Sequence, residues 1–123
     1  MPKIRRLEDV QSWQKARQLA NAIYDLTSHP EFAKNFKLRD QIQDGAGSAM
    51  HNIAEGFDSG SDAEFIRFLK MARRSASEVQ SQLYLALDRK YIEEDELKIG
   101  YDMATGVKRL INGLISYLRK DHS

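Results

Sequence analysis

Apolar residues recur along this chain at the three- and four-residue steps of a helix, and no alternating run reaches five residues with turn signals on both sides. The pattern predicts an all-α chain. A first helix over about 9–28 carries Trp13, Ala16, Ala20, Ile23, Tyr24 and Thr27 within one arc of roughly 100°. His29-Pro30 ends it, because the proline ring obstructs a continuing turn and biases its predecessor away from helix. Residues 29–37 read as a loop from which Phe32 and Phe36 fold back onto the bundle. A second helix over about 38–57 turns Leu38, Ile42, Gly45, Ala49, Ile53 and Phe57 inward. Its small residues permit close helix approach, although each interior glycine costs up to about 1 kcal/mol against alanine.

Asp58-Ser59-Gly60-Ser61 is a turn, and Ser61 with Glu64 reads as a capping box in which each side chain satisfies a backbone amide. The third helix, about 62–90, has the inward stripe Phe65, Phe68, Leu69, Ala72, Ala76, Val79, Leu83, Ala86 and Leu87. Tyr91-Ile92 is a short link. Glu93 to Glu96 place carboxylates at the start of a fourth helix, about 93–120, where they favour its dipole; Arg119 and Lys120 supply the matching positive end. Short links imply antiparallel neighbours in an up-down-up-down four-helix bundle, one domain over 1–123 with a flexible start at 1–8.

The fourth helix carries more apolar surface than a bundle core needs. Leu97, Tyr101, Ala104, Val107, Ile111, Leu114, Ile115 and Leu118 close the core, while Ile99, Met103, Gly106, Leu110, Gly113 and Tyr117 line a second face about 120° away. A helix of a monomeric bundle needs one apolar face, so the second predicts self-association into a homo-oligomer. Leu19, Leu26, Tyr84 and Leu85 also fall outside their main stripes.

Composition narrows the function classes. The 123 residues include no cysteine, which excludes a disulfide scaffold, a thiol nucleophile and thiolate metal sites, and fits a reducing, cytoplasmic setting. No apolar run exceeds the five residues Leu83 to Leu87, so neither a secretion signal nor a membrane span is expected. Nineteen Lys and Arg against 18 Asp and Glu leave +1, far from the footprint of a dedicated nucleic-acid binder.

No residue set dictates a chemistry. Asp40, Asp44, Ser48, His51 and Glu55 share one helical face, and His51 beside Glu55 is the nearest approach to an acid/base pair or metal site; a solvated polar face is the preferred reading, with no metal, cofactor or small-molecule substrate implied. Arg67, Lys70, Arg73 and Arg74 form a cationic strip that suits phosphates, with Glu78 one turn beyond Arg74. Asn52, Glu55 and Gly56, and Ser75, Glu78 and Gln82, border the inward arcs, where polar groups satisfy one another across helices.

Several segments, taken in order, resemble a known family. Val10-x-x-Trp13-Gln14-Lys15-Ala16, Leu38-x-Asp40-Gln41-Ile42, Asn52-Ile53-Ala54-Glu55-Gly56-Phe57, Glu64-Phe65-x-Arg67-Phe68-Leu69, Ala72-Arg73-x-Ser75-x-x-Glu78 and Asn112-Gly113-Leu114-Ile115 resemble the bacterial four-helix-bundle proteins encoded in intervening sequences of 23S rRNA genes. The resemblance implies an antiparallel four-helix protomer in a ring of five, with function left open. It also implies likeness in fold to the basic accessory protein of diversity-generating retroelements, which contacts nucleic acid. This chain departs from the pattern at Gln43 and Asp44, where basic residues are common, and at Ser48-Ala49-Met50-His51, where Ser-Ile-Pro-Ala is usual. The expectation is a non-enzymatic homo-oligomeric scaffold or interaction protein. The alternative is a nucleic-acid-binding accessory protein making weak RNA or DNA contact through the Arg67 strip.

Overall fold

The computed structural model describes residues 4–120, which are helical apart from their links. One 3-10 turn, Leu7–Asp9, precedes α1 (Gln11–Thr27), α2 (Pro30–Lys34), α3 (Phe36–Phe57), α4 (Asp62–Asp88) and α5 (Glu94–Lys120). Of the flexible start expected over 1–8, residues 1–3 lie outside the described residues. Beyond them the Asp9 carboxylate accepts the backbone amides of Arg5 and Arg6 at 3.1 and 3.2 Å.

The loop expected over 29–37 is corrected by the structure. Pro30 follows the end of α1 but also opens α2, where its missing N–H falls among amides that a first helical turn leaves unbonded. Phe32 on α2 is fully buried and stacks on Tyr91 with ring centroids 5.4 Å apart. Phe36, expected to fold back as well, is 66% exposed beneath the Arg39 guanidinium. Asn35 caps α3 through an acceptor bond from Leu38 N at 3.1 Å, so that helix begins two residues earlier than its apolar pattern.

Only half of the expected capping box forms. Ser61 Oγ accepts from Glu64 N at 3.1 Å, while the Glu64 carboxylate turns to Arg67 at 2.9 Å. Helix α4 stops at Asp88, short of the expected 90, because Lys90 adopts a left-handed φ of 65°. Its N–H bonds Leu87 O and that of Tyr91 bonds Ala86 O, which closes the helix end.

Helix α1 packs on α3 and α5, and α4 packs on the same two helices from the other side. Contacting pairs run in opposite senses: Arg73 meets Asn112, Ser77 meets Lys108 and Gln80 meets Thr105. A continuous core includes Leu19, Ile23, Ile42, Ile53, Leu83 and Ile111. The face expected for α1 is corrected. Leu19, placed outside the stripe, is fully buried, whereas Tyr24 is exposed and Trp13 only half-buried. On α3 Ala46 and Gly56 are buried as well, while the expected Gly45 and Phe57 face inward but are only partly buried, Gly45 against Val79 of α4 and Phe57 against the core. No described helix is long and apolar enough to cross a membrane.

One ion pair ties α5 to the link between α1 and α2. His29 Nε2 lies 2.7 Å from Glu96 Oε2, and Glu96 Oε1 also accepts Glu93 N at 2.9 Å. The His29 hydrogen bond, then that from Glu93, holds the Glu96 carboxyl below its ordinary value of 4.5. A lowered carboxylate favours the folded state when ionised, so its contribution is complete above about 4.5 and lost as pH falls through the lowered value. Glu96→Gln is therefore expected to lower the denaturant midpoint at pH 6 and to lower it by less at pH 3. An equal loss at both pH values would contradict this account.

Candidate functional site

The second face of α5 borders α1 along its length. Ile99 is 61% exposed and Tyr117 36%; Leu110 is half-buried and Gly113 has open space where a side chain would stand. Two members are partly covered from within the chain. Met103 packs against the core, and the Lys15 stem lies over Gly106, 3.1 Å from the position of an added Cβ. Ile99 and Tyr117 are thus the exposed large side chains of the set, with Leu110 and the exposed Gly113 between them lining a pocket. That pocket, about 320 Å³, lies between α5 and the start of α1. Its walls include Ile4, Val10, Ser12, Arg109 and Leu114, none of which stood out in the sequence as a site residue.

The cationic strip of α4 is divided by its partners. Arg67 pairs with Glu64 and lies 4.4 Å from the centroid of the Phe68 ring; Arg73 swings to α5 and donates to Asn112 Oδ1 at 2.7 Å. Lys70 and Arg74 are exposed, and among the described residues neither forms an ion pair. Glu78 does not close on Arg74. Of the four cations only Arg67 is thus in an ion pair among the described residues; Arg73 keeps its charge but is held at a neutral amide, and Lys70 and Arg74 stand exposed.

The polar face of α3 does not assemble into a reactive cluster. Asp40 pairs with Arg39 at 2.9 Å, His51 and Glu55 are exposed, and Ser48 turns toward α4. No group of three or more His, Asp or Glu among the described residues is arranged to hold a metal ion. His122 lies outside the described residues.

Of the polar residues at the helix boundaries, Ser75 joins α4 to α3, whereas Glu55 and Glu78 are exposed and Gln82 Oε1 is buried without a hydrogen-bond partner. Asn52 donates to Ser48 O and Oγ at 2.9 and 3.0 Å, and Ser75 Oγ bonds Ser48 Oγ at 3.1 Å. Ile53 enters the core, and Gly56 presses on Phe65 and Phe68. Within Asn52-Ile53-Ala54-Glu55-Gly56, Gly56 thereby meets α4 directly, and Asn52 fixes the Ser48 hydroxyl that Ser75 of α4 bonds. A second set, missed in the sequence, spans α4 and α5. Gln80 is buried, donates to Tyr101 O and Thr105 Oγ1, and accepts from Lys108 Nζ at 2.8 Å. The signal available was a glutamine directly beside Val79, with Thr105 and Lys108 one turn apart on α5.

Comparison with known proteins gives two likenesses. The model of a family described as 23S rRNA-intervening sequence protein matches residues 8–113. Among solved structures, a Bacteroides thetaiotaomicron protein of unknown function from the S23 ribosomal protein family superposes with a TM-score of 0.79. It is 24% identical, and the match covers 85% of this chain and 95% of that one, a likeness of fold. A search of curated proteins finds no match.

Proposed function

The chain belongs to the 23S rRNA-intervening sequence protein family, and from that premise we propose a non-enzymatic scaffold or interaction protein of the cytoplasm that works as a homo-oligomer. Its protomer is a single up-down-up-down bundle, a reading supported by the opposite senses of contacting pairs along α4 and α5. Copies meet through the second face of α5, in the ring of five that the family resemblance implies. One observation carries this reading. Ile99, Met103, Gly106, Leu110, Gly113 and Tyr117 follow alternating steps of four and three, the spacing of a helix that packs along another helix, and exposed apolar groups stand at both ends of the line. Gly113 offers an approaching helix an open surface. A second copy supplies the same helix and the same spacing.

A nucleic-acid accessory role is the second reading, favoured by the free charges of Lys70 and Arg74. These two and the Asn112-bound Arg73 make three cations of the strip per chain without an ion pair among the described residues, which release few counterions, so binding is expected to be weak, sequence-indifferent and dependent on assembly.

Leu110→Asp separates these readings. An aspartate there buries an unpaired charge between copies and is expected to split the oligomer while helix content is retained. Light scattering gives the assembly state, and a labelled RNA titrated at several salt concentrations with both forms gives the affinity. A wild-type monomer at micromolar concentration would sink the assembly reading. Nanomolar, sequence-selective RNA binding that persists at high salt would replace the scaffold with the accessory role.

A further inference from the structure

The pocket between α5 and the start of α1 combines three features that the packing of the bundle does not use. Its walls are largely apolar, with Ile4, Val10, Leu110 and Leu114 among them, and about 320 Å³ lies at the lower end of volumes that hold small ligands. Ser12, in the first turn of α1, lines it at 2% exposure, and its buried hydroxyl has no hydrogen-bond partner. Val10 stands at the N-cap and offers no acceptor, so the first amides of α1 lack the oxygen that a Ser, Asp or Asn cap supplies. Arg109 lies on the opposite wall, exposed and with no ion pair among the described residues. Asp9 also lines the pocket, but its carboxylate is engaged by the amides of Arg5 and Arg6.

A buried hydroxyl without a partner costs free energy that a bound acceptor recovers. Free helix amides and a guanidinium make the favoured acceptor an anion. We infer that this pocket binds a small monocarboxylate with an aliphatic tail, its carboxylate at Ser12, the α1 amides and Arg109, its tail against Val10, Leu110 and Leu114. The polar end of the site, Ser12 and Arg109, lies outside the α5 line, whereas Leu110 and Gly113 belong to both, so assembly through that line competes with the ligand for the pocket mouth.

Isothermal titration of the intact protein with octanoate, and separately with octanol, tests it, with light scattering on the same samples recording assembly. One octanoate per chain is expected, with a Kd of about 1 mM or tighter, and markedly weaker octanol binding. Arg109→Gln and Ser12→Ala are each expected to weaken octanoate by about tenfold or more. Ser12→Ala, which removes an unsatisfied group, is expected to melt at the same or a higher temperature without ligand. Equal affinity for octanoate and octanol would reduce the site to an apolar cavity and overturn the assignment. Absence of octanoate binding, or full affinity in both variants, would overturn it too.

Discussion

Replacing Phe32 by alanine is expected to destabilise the protein by about 3–5 kcal/mol, the range for removing a buried phenylalanine. The ring is fully buried and stacks on Tyr91, whose hydroxyl accepts from Asn35 Nδ2 at 3.2 Å. Phe32 thus joins short α2 to the link before α5. Domains of this kind have about 5–15 kcal/mol in all, so the loss consumes a large share. Phe36→Ala, four residues along and 66% exposed, is expected to change stability by about 0.5 kcal/mol or less. Urea denaturation at one fixed protein concentration compares the two; equal losses would refute the placement of α2.

The second large effect is a reversal of sign between two glycines of α3. At Gly56 an added Cβ stands 2.8 Å from Phe65 Cδ1, 2.9 Å from Phe68 Cβ and 3.2 Å from Phe65 O. Two of these three atoms sit at or beside the α4 backbone, so α4 itself must shift. Overpacking of this kind costs about 1–3 kcal/mol and outweighs the small helical gain available beside the end of α3. At Gly47 the nearest atoms are on the His51 ring at 3.9 Å, which is ordinary contact. Gly47→Ala is expected to stabilise the protein by about 0.5–1 kcal/mol, the helix-propensity difference. Thermal melts of both variants should move in opposite directions. A stabilising Gly56→Ala would contradict the close approach of α3 and α4.

Both predictions concern residues whose type was plain in the sequence and whose role was not. The Phe32 and Phe36 side chains are chemically identical, and neither sits in a long periodic segment. What separates them is that α2 turns Phe32 toward Tyr91, 59 residues further along the chain, while Phe36 opens α3 on its outer side. The candidate site divides in the same way. The α5 line was legible because six positions repeat at helical spacing, whereas the pocket beside it was not, because Ile4, Ser12 and Arg109 come together only when α1 lies along α5.

Local chemistry determined the four long helices of this protein, though not short α2. Spacing of three and four marks them, proline ends α1, Ser61 starts α4, and the acidic start and basic end of α5 match its dipole. Each of these effects acts within a few residues, so it is readable without knowing the fold. Which edge of each apolar arc becomes buried was decided by neighbours. Leu19 lies at the border of the α1 arc and is covered completely because α3 and α5 both pack on that helix, while Tyr24 on the other border is left exposed. Lys15 covers Gly106 for the same reason. Periodicity states how residues on one helix stand relative to each other; burial depends on the position of a second helix, which only tertiary packing specifies.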